Sequence, residues 1–216
     1  MLKDKVIIIT GAAQGIGAGS ATEFAKLGSK LVLADMKPAE QTVAAVKAVG
    51  GEAVAVTVDI TKFASCQGVA KAAVDAYGRI DGLVNYAGMY GTLHQAPFDM
   101  IDEGEWNACM NVNITGTWNM IRAVAPAMRN ANAGSIINIA SNTVMIGQPY
   151  MAHYVVSKMA VIGMTRTLAR ELGANNIRVN VVAPTVTATE GTRQLAGEHT
   201  DAIIGMVMQT QSVKRP

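Results

Sequence analysis

Short runs of apolar residues recur along the chain, and longer segments with helical spacing fill the intervals between them. No other feature constrains the fold as much. The runs are Val6–Thr10, Lys30–Ala34, Ala53–Val58, Gly82–Asn85, Ser135–Ala140 and Arg178–Val182. Most are nearly continuous in Val, Ile, Leu and Ala. A strand reads this way when both faces are buried, as in a parallel sheet with helices on either side. Helical patterns cover Ile16–Leu27, ending at Gly28, and Ala39–Val49, ending at Gly50-Gly51. A third covers Phe63–Tyr77, where Phe63, Val69, Ala70, Ala73, Val74 and Tyr77 share a face before Gly78. Two longer helices are predicted over Glu105–Arg129 and Ala152–Leu172. The alternation implies βαβ units with right-handed crossovers. A single doubly wound α/β domain over residues 1–216 is expected, with no repeat, linker or low-complexity tract.

Composition narrows the function classes. Half of the 216 residues are apolar, enough for one sizeable core. The formal charge is +2 and the 18 Lys and Arg are scattered, so no basic nucleic-acid surface is expected. The apolar run Val6–Ile9 is too short for a signal or a membrane span, and no other stretch is long enough. Cys66 and Cys109 stand far apart without metal-ligand neighbours. They read as buried thiols in a reducing, cytoplasmic compartment, and no metal site is expected. Asn113-Ile114-Thr115 matches a glycosylation sequon, which is read as chance without an export signal.

The first strand runs into Thr10-Gly11-Ala12-Ala13-Gln14-Gly15-Ile16-Gly17, which opens a helix. Glycines let the backbone approach a pyrophosphate, and the helix start offers N–H groups and a positive pole. The pattern is weak alone; its place between strand and helix strengthens it. Asp35 ends the second strand and could accept hydrogen bonds from an adenosine ribose. It would repel a 2′-phosphate, and neither Gln14 nor Met36 offers a cation, so NAD is predicted over NADP. Asp59 could bond the adenine or simply cap the turn near Thr61. The small residues of Asn85-Tyr86-Ala87-Gly88 leave room beside the fourth strand.

Tyr154 and Lys158 stand four residues apart in a helical pattern, on one face. A free tyrosine, with a pKa of about 10, is a poor base at neutral pH. A neighbouring ammonium is expected to lower that value, letting Tyr154 exchange a proton with an alcohol or carbonyl. Ser141 follows the fifth strand and could bond the reacting oxygen. Asn113, in the preceding helix, could hold a water behind Lys158.

Taken together, Thr10–Gly17, Asp59, Asn85–Gly88, Asn113, Ser141, Tyr154, Lys158 and the Pro184 segment resemble the short-chain dehydrogenase/reductase family over nearly the whole chain. The resemblance implies a catalytic tetrad of Asn113, Ser141, Tyr154 and Lys158. In it Tyr154 is the acid/base and Lys158 also binds the nicotinamide ribose. Ser141 orients substrate, and Asn113 anchors a relay water. It implies cofactor contacts at Gly11, Gln14, Gly15, Ile16, Gly17, Asp35, Asp59 and Ile60. Further contacts are implied at Asn85, Ala87, Gly88, Tyr154, Lys158, Pro184, Thr187 and Thr189. A Rossmann-type sheet of order 3-2-1-4-5-6-7 and hydride transfer at the nicotinamide are also implied.

Three departures stand out. Tyr86 replaces the second Asn of the family's Asn-Asn-Ala-Gly. Thr185 replaces the Gly after Pro184, where it could crowd the nicotinamide or shape the pocket with Thr187 and Thr189. The family also continues for roughly 30–40 residues beyond this point, with a seventh strand. Here the sequence reaches Lys214-Arg215-Pro216, so the seventh strand is expected to be missing and Arg178–Val182 to be an exposed edge. A fragment is the expectation.

The substrate side should include Met89, Tyr90, Leu93, Phe98, Val144, Met145, Ile146, Tyr150, Met151 and Val186. Such a lining suits a neutral, apolar secondary alcohol or ketone. The Pro184–Thr189 segment resembles that of family members oxidising alcohols such as 1-phenylethanol. His94 and His153 read as structural polar residues rather than bases. Two alternatives stay open: a 3-oxoacyl reductase using NADPH, and a dinucleotide-binding protein without catalysis. The resemblance also implies a homo-oligomer, dimer or tetramer, built on the two long helices.

Overall fold

The structure is a computed structural model that describes residues 2–210. Six parallel strands form one sheet of order β3-β2-β1-β4-β5-β6. They are β1 Val6–Thr10, β2 Lys30–Asp35, β3 Glu52–Thr57, β4 Gly82–Asn85, β5 Gly134–Ile139 and β6 Ile177–Val182. Every predicted strand is present, with ends shifted by at most one residue.

The continuous apolar runs follow from burial on both faces. On β1, Val6 and Ile8 point to one side and join Val69, Ala73, Val124 and Met128. Ile7 and Ile9 point to the other and meet Ala21, Ala25 and Val46. The first layer comes from α3 (Phe63–Tyr77) and α5 (Thr117–Asn130), the second from α1 (Gly15–Lys26) and α2 (Glu40–Ala48). Burying a side chain such as Ile8 contributes about 1.5–3 kcal/mol. Helix α3 ends at Gly78, whose φ of 75° is the left-handed cap the sequence suggests.

The predicted helix over Glu105–Arg129 is not continuous. It divides into α4 (Glu103–Met110), a π-helical turn over Asn111–Gly116, and α5. Asp102 caps α4 by accepting from the Glu105 N–H at 2.8 Å. Helical spacing in the sequence does not mark a π turn, and the buried positions of this one, Asn113 and Gly116, are not apolar. Such turns concentrate at functional sites, and this one carries Asn113. After β5 come α6 (Thr143–Ile146) and α7 (Ala152–Gly173), the latter one residue longer than predicted. Two more helices, α8 (Glu190–Ala196) and α9 (Thr200–Thr210), follow β6.

Strand β6 is the sheet edge, with no seventh strand among the described residues. Its exposure alternates: Ile177 and Val179 are buried while Arg178, Asn180 and Val182 are exposed. Lys214–Pro216 lie outside the described residues. No described helix is long and apolar enough to cross a membrane.

Candidate active site

The order of the sheet places a crevice at the carboxyl ends of β1 and β4, where the crossover direction reverses. The glycine loop leaves β1 here, and Asn85–Gly88 leave β4. The two loops touch through their backbones: a Cβ on Gly11 (φ 66°) would stand 2.7 Å from the Ala87 nitrogen. One on Gly17 would collide with the Gly11 carbonyl. Thr10 Oγ1 ties the loops together by accepting from the Ala87 N–H at 3.1 Å. Tyr86, the unusual residue beside Asn85, has its hydroxyl 2.8 Å from Ser20 Oγ on α1. It thereby pins the β4 loop to the helix.

This cradle fits a dinucleotide on its own terms. Helix α1 has no side-chain cap at Gln14 and no acid in its first turn; its Gly15 N–H donates instead to Glu190 Oε2 at 3.1 Å, so the pole takes an anion from outside the helix. Beside it, Asn85 Oδ1 is buried without a hydrogen-bond partner. Asp35 accepts from the Ala13 N–H at 2.9 Å and from the Lys37 N–H at 2.9 Å, so β2 braces the glycine loop. Lys37 Nζ also donates to Gln14 Oε1 at 3.4 Å. Neither Gln14 nor Met36 offers a cation, but Lys37 does, because the turn folds it back toward the loop.

Asp59 accepts from both the Thr61 hydroxyl, at 2.6 Å, and the Thr61 N–H, at 2.9 Å. The hydroxyl bond holds its carboxyl below the usual range. That is the capping arrangement. The neighbouring Ile60 carbonyl accepts from Asn119 Nδ2 at 2.9 Å, and its buried side chain lies against Gly116. Pro184 connects the end of β6 to β5, its carbonyl accepting from the Asn142 N–H at 2.9 Å. Thr185 is exposed. Thr187 bonds locally to the Thr185 carbonyl, and Thr189 caps α8.

Ser141, Tyr154, Lys158 and Asn113 all converge beyond β4 and β5. Tyr154 is 7% exposed, and the Ser141 hydroxyl acts on its phenol against the effect of burial. Lys158 Nζ lies 5.7 Å from the centre of the Tyr154 ring and donates to the Ile139 carbonyl at 2.9 Å. From spacing alone, the ammonium is expected to lower the phenol pKa. Instead burial raises Tyr154 to about 12, with the Ser141 bond opposing it, and burial lowers Lys158 to about 8. Desolvation outweighs the pair's attraction because both groups sit out of water and the amine is directed to a carbonyl.

Asn113 is buried, and its side-chain amide is fully engaged. Oδ1 accepts from the Met89 N–H at 2.7 Å, while Nδ2 faces the Met89 carbonyl at 3.2 Å and Ser157 Oγ at 3.0 Å. The amide therefore clamps the loop after β4 onto α7. Gly88 sits against this clamp: a Cβ there would be 3.0 Å from Asn113 Oδ1 and 3.5 Å from Lys158 Nζ.

Several neighbours carry no sequence signature. Asn138 on β5 accepts from Asn85 Nδ2 at 2.9 Å and donates to Thr165 Oγ1 at 3.0 Å, spanning β4, β5 and α7. Cys109 Sγ approaches Ser157 Oγ at 3.8 Å and Asn113 Nδ2 at 3.5 Å. Polar residues inside an apolar strand are the one signal that could have singled out Asn138.

On the substrate side, Leu93, Cys109, Met151 and Tyr154 form a buried apolar cluster with Met89, Tyr90, Val155 and Leu195. The Tyr90 and Tyr154 rings stand 5.2 Å apart. Val144 is buried, but Met145, Ile146 and Tyr150 are exposed and Phe98 is 82% exposed, outside this cluster. His153 is fully buried, 3.9 Å from Glu105, which also meets His94 at 3.3 Å. Neither histidine touches the phenol. No group of His, Cys, Asp and Glu suited to a metal ion occurs among the described residues.

Known proteins resemble this chain in sequence and in fold. The family model described as short chain dehydrogenase matches residues 5–199. A 3-oxoacyl-[acyl-carrier-protein] reductase of Thermotoga maritima is 37% identical over 196 residues, 90% of this chain and 78% of its own. A D-threitol dehydrogenase of Mycolicibacterium smegmatis is 35% identical over 206 residues, 94% of this chain and 78% of its own. Among solved structures, levodione reductase superposes with a TM-score of 0.92 at 29% identity, covering all of this chain and 86% of that one. An NAD+-bound xylitol dehydrogenase gives 0.89 at 29% identity, covering 99% and 87%. The chain belongs to the short-chain dehydrogenase family.

Proposed function

We propose that this oxidoreductase acts on a neutral, apolar secondary alcohol, or the matching ketone, with NAD(H) as the redox partner. The convergence of Ser141 and Lys158 on the buried Tyr154 phenol carries this reading. Tyr154 exchanges the proton of the reacting oxygen, and Ser141 holds that oxygen against it. Lys158 stabilises the phenolate and positions the ribose. Asn113 fixes the geometry of the loop after β4. The bound dinucleotide would supply or accept the hydride. It would lie along Gly11, Gln14, Gly15, Ile16 and Gly17, then Asp35, Asp59, Ile60, Asn85, Ala87 and Gly88. Pro184, Thr187 and Thr189 would close over it. The Leu93, Met151 and Tyr90 surroundings favour an apolar substrate.

A second reading, a 3-oxoacyl reductase using NADPH, has one observation of its own: Lys37 beside Gln14. The name of the Thermotoga relative agrees with it. Asp35, whose carboxylate sits at the end of β2, favours the first.

The apolar faces that α5 and α7 expose, including Trp118, Val156 and Met159, suit a homo-oligomer. Two buried, unpaired thiols suit a reducing compartment such as the cytoplasm. We treat the chain as one catalytic domain.

The test is a panel of aryl and alkyl secondary alcohols, polyols and 3-oxoacyl thioesters, each with NAD(H) and NADP(H). Oxidation of the apolar alcohols with NAD, abolished in Tyr154→Phe, is the expected result. Turnover confined to thioesters with NADPH would replace it by the second reading. Dinucleotide binding without turnover of any compound would leave a non-catalytic binder.

A further inference from the structure

The first turn of α7 carries the Tyr154 phenol, and little within the helix holds that turn. Met151 gives no side-chain cap, and the turn contains no acid. Tyr150, just before it, has φ 64°, a left-handed backbone that a tyrosine rarely adopts. Such departures persist where the surroundings enforce them, and they collect at functional sites. Here the grip comes from the loop after β4, whose Ala96 N–H donates to the Tyr150 carbonyl at 3.0 Å.

His153 stands in this turn, next to Tyr154, and is fully buried. Neither of its ring nitrogens has a hydrogen-bond partner among the described residues. An imidazole buried in this way costs stability that an apolar side chain of similar size would not. Its Nε2 lies 3.9 Å from Glu105 Oε1, about 1 Å too far for a hydrogen bond. Glu105, on α4, is already fixed to the loop. It accepts from the His94 N–H at 2.7 Å, and the His94 ring stands 3.3 Å from its other oxygen. The same loop sets Tyr90 against the Tyr154 ring and Leu93 into the cluster around it. Glu105 therefore sits where α4, the loop and the first turn of α7 meet.

We propose that His153 is a positioning residue for Tyr154: in the reacting complex its Nε2 donates to Glu105, which locks the first turn of α7 against α4 and the loop and fixes the phenol at the reacting oxygen; this rests on the reading of Tyr154 as the acid/base. Hydrogen bonds that serve catalysis are often long in the resting protein and tighten in the reacting complex. A substrate seated against Tyr90 and Leu93 shields this corner from water, and a lower local dielectric strengthens an imidazole–carboxylate bond. The cost of the unbonded imidazole falls on the resting enzyme and is relieved in the reacting one. Removing the imidazole should therefore act on stability and on kcat with opposite signs.

The experiment compares the wild type with His153→Leu, His153→Gln, Glu105→Ala and the double variant His153→Leu/Glu105→Ala. Thermal unfolding is followed without cofactor. Values of kcat and KM are measured for 1-phenylethanol with NAD and for a 3-oxobutanoyl thioester with NADPH, so either substrate reading supplies the assay. His153→Leu should melt about 2–6 °C higher. Its kcat should fall about ten- to thirtyfold, with KM changed by less than about twofold. His153→Gln, whose amide can donate to Glu105, should keep kcat within about threefold of the wild type. Glu105→Ala should match the loss in His153→Leu, and the double variant should fall no further. A His153→Leu variant that melts lower or fails to fold would make His153 a packing residue. One that melts higher with normal kcat would make it a cost without a role. Losses that multiply in the double variant, or His153→Gln as slow as His153→Leu, would deny the bond to Glu105. Each of these overturns the proposal and leaves the role of Tyr154 intact. A wild type without turnover, or Tyr154→Phe as active as the wild type, would remove the acid/base reading and this positioning role together.

Discussion

Lys158 Nζ donates to the Ile139 carbonyl at 2.9 Å while standing 5.7 Å from the centre of the Tyr154 ring. The amine is thus fixed by β5 rather than by the phenol. Burial lowers its pKa to about 8.

The sign of the stability effect follows. The folded value lies below the unfolded one of about 10.5. Between these values the unfolded chain holds a proton that the folded chain does not, so stability rises with pH across that window. Lys158→Met should therefore stabilise the dinucleotide-free protein by about 1–3 kcal/mol below pH 8. The gain should shrink as pH rises toward 10.5. Chemical denaturation at pH 7 and pH 10 measures it. Turnover should be lost at both.

The Gly88→Ala variant probes the same centre from the opposite wall. The added methyl would press on Asn113 Oδ1 at 3.0 Å, and Asn113 cannot retreat because Met89 and Ser157 hold it. We expect kcat to fall about ten- to a hundredfold from misplacement of the catalytic groups. The melting temperature should drop by about 2–4 °C for each kcal/mol of strain. A variant with normal kcat would show that the clamp does not set the geometry.

Selection between the two dinucleotides should depend on Asp35 and Lys37 in opposite senses. Asp35→Ala removes the charge that repels a 2′-phosphate and should shift the kcat/KM ratio toward NADP by about tenfold or more. Lys37→Ala should move the ratio the other way, by a smaller factor, since the amine is exposed and screened. Steady-state kinetics with both cofactors decide it. An unchanged ratio in Asp35→Ala would remove it as the selector.

Asn138 is the structural counterpart of these functional groups. Asn138→Ala would leave Asn85 Nδ2 and Thr165 Oγ1 without the partner that now bridges them inside the sheet. We expect a loss of about 2–4 kcal/mol, read from urea denaturation. Asn138→Asp should restore part of it only at acid pH, where a protonated carboxyl can both donate and accept.

The fold was largely legible because burial on both sheet faces writes itself directly into composition. Ile7, Ile8 and Ile9 are all apolar since each has a helix on its side. Asn113, Ser141, Tyr154 and Lys158 were legible for a different reason, their order and spacing. What could not be read was whatever depends on where backbones turn in space. The π turn lies inside a segment whose spacing reads as one continuous helix. Lys37 reaches Gln14 only because the β2 end folds back, and Glu190 meets Gly15 across nearly the whole chain. The phenol–amine balance also escaped the sequence. It turns on the competition between desolvation and charge, and spacing reports only the charge.

Main-chain atoms hold the polar groups at the crevice. Lys158 rests on the Ile139 carbonyl, Asn113 on the Met89 peptide, Asp35 on the Ala13 and Lys37 nitrogens. A peptide group is the same whatever side chain it carries. Substitution at Ile139, Met89 or Ala13 therefore need not disturb what their backbones anchor. Evolution can rewrite much of such a chain and keep its constellation in place. A relative 37% identical to this one could inherit the same scaffold while its rim explores new substrates.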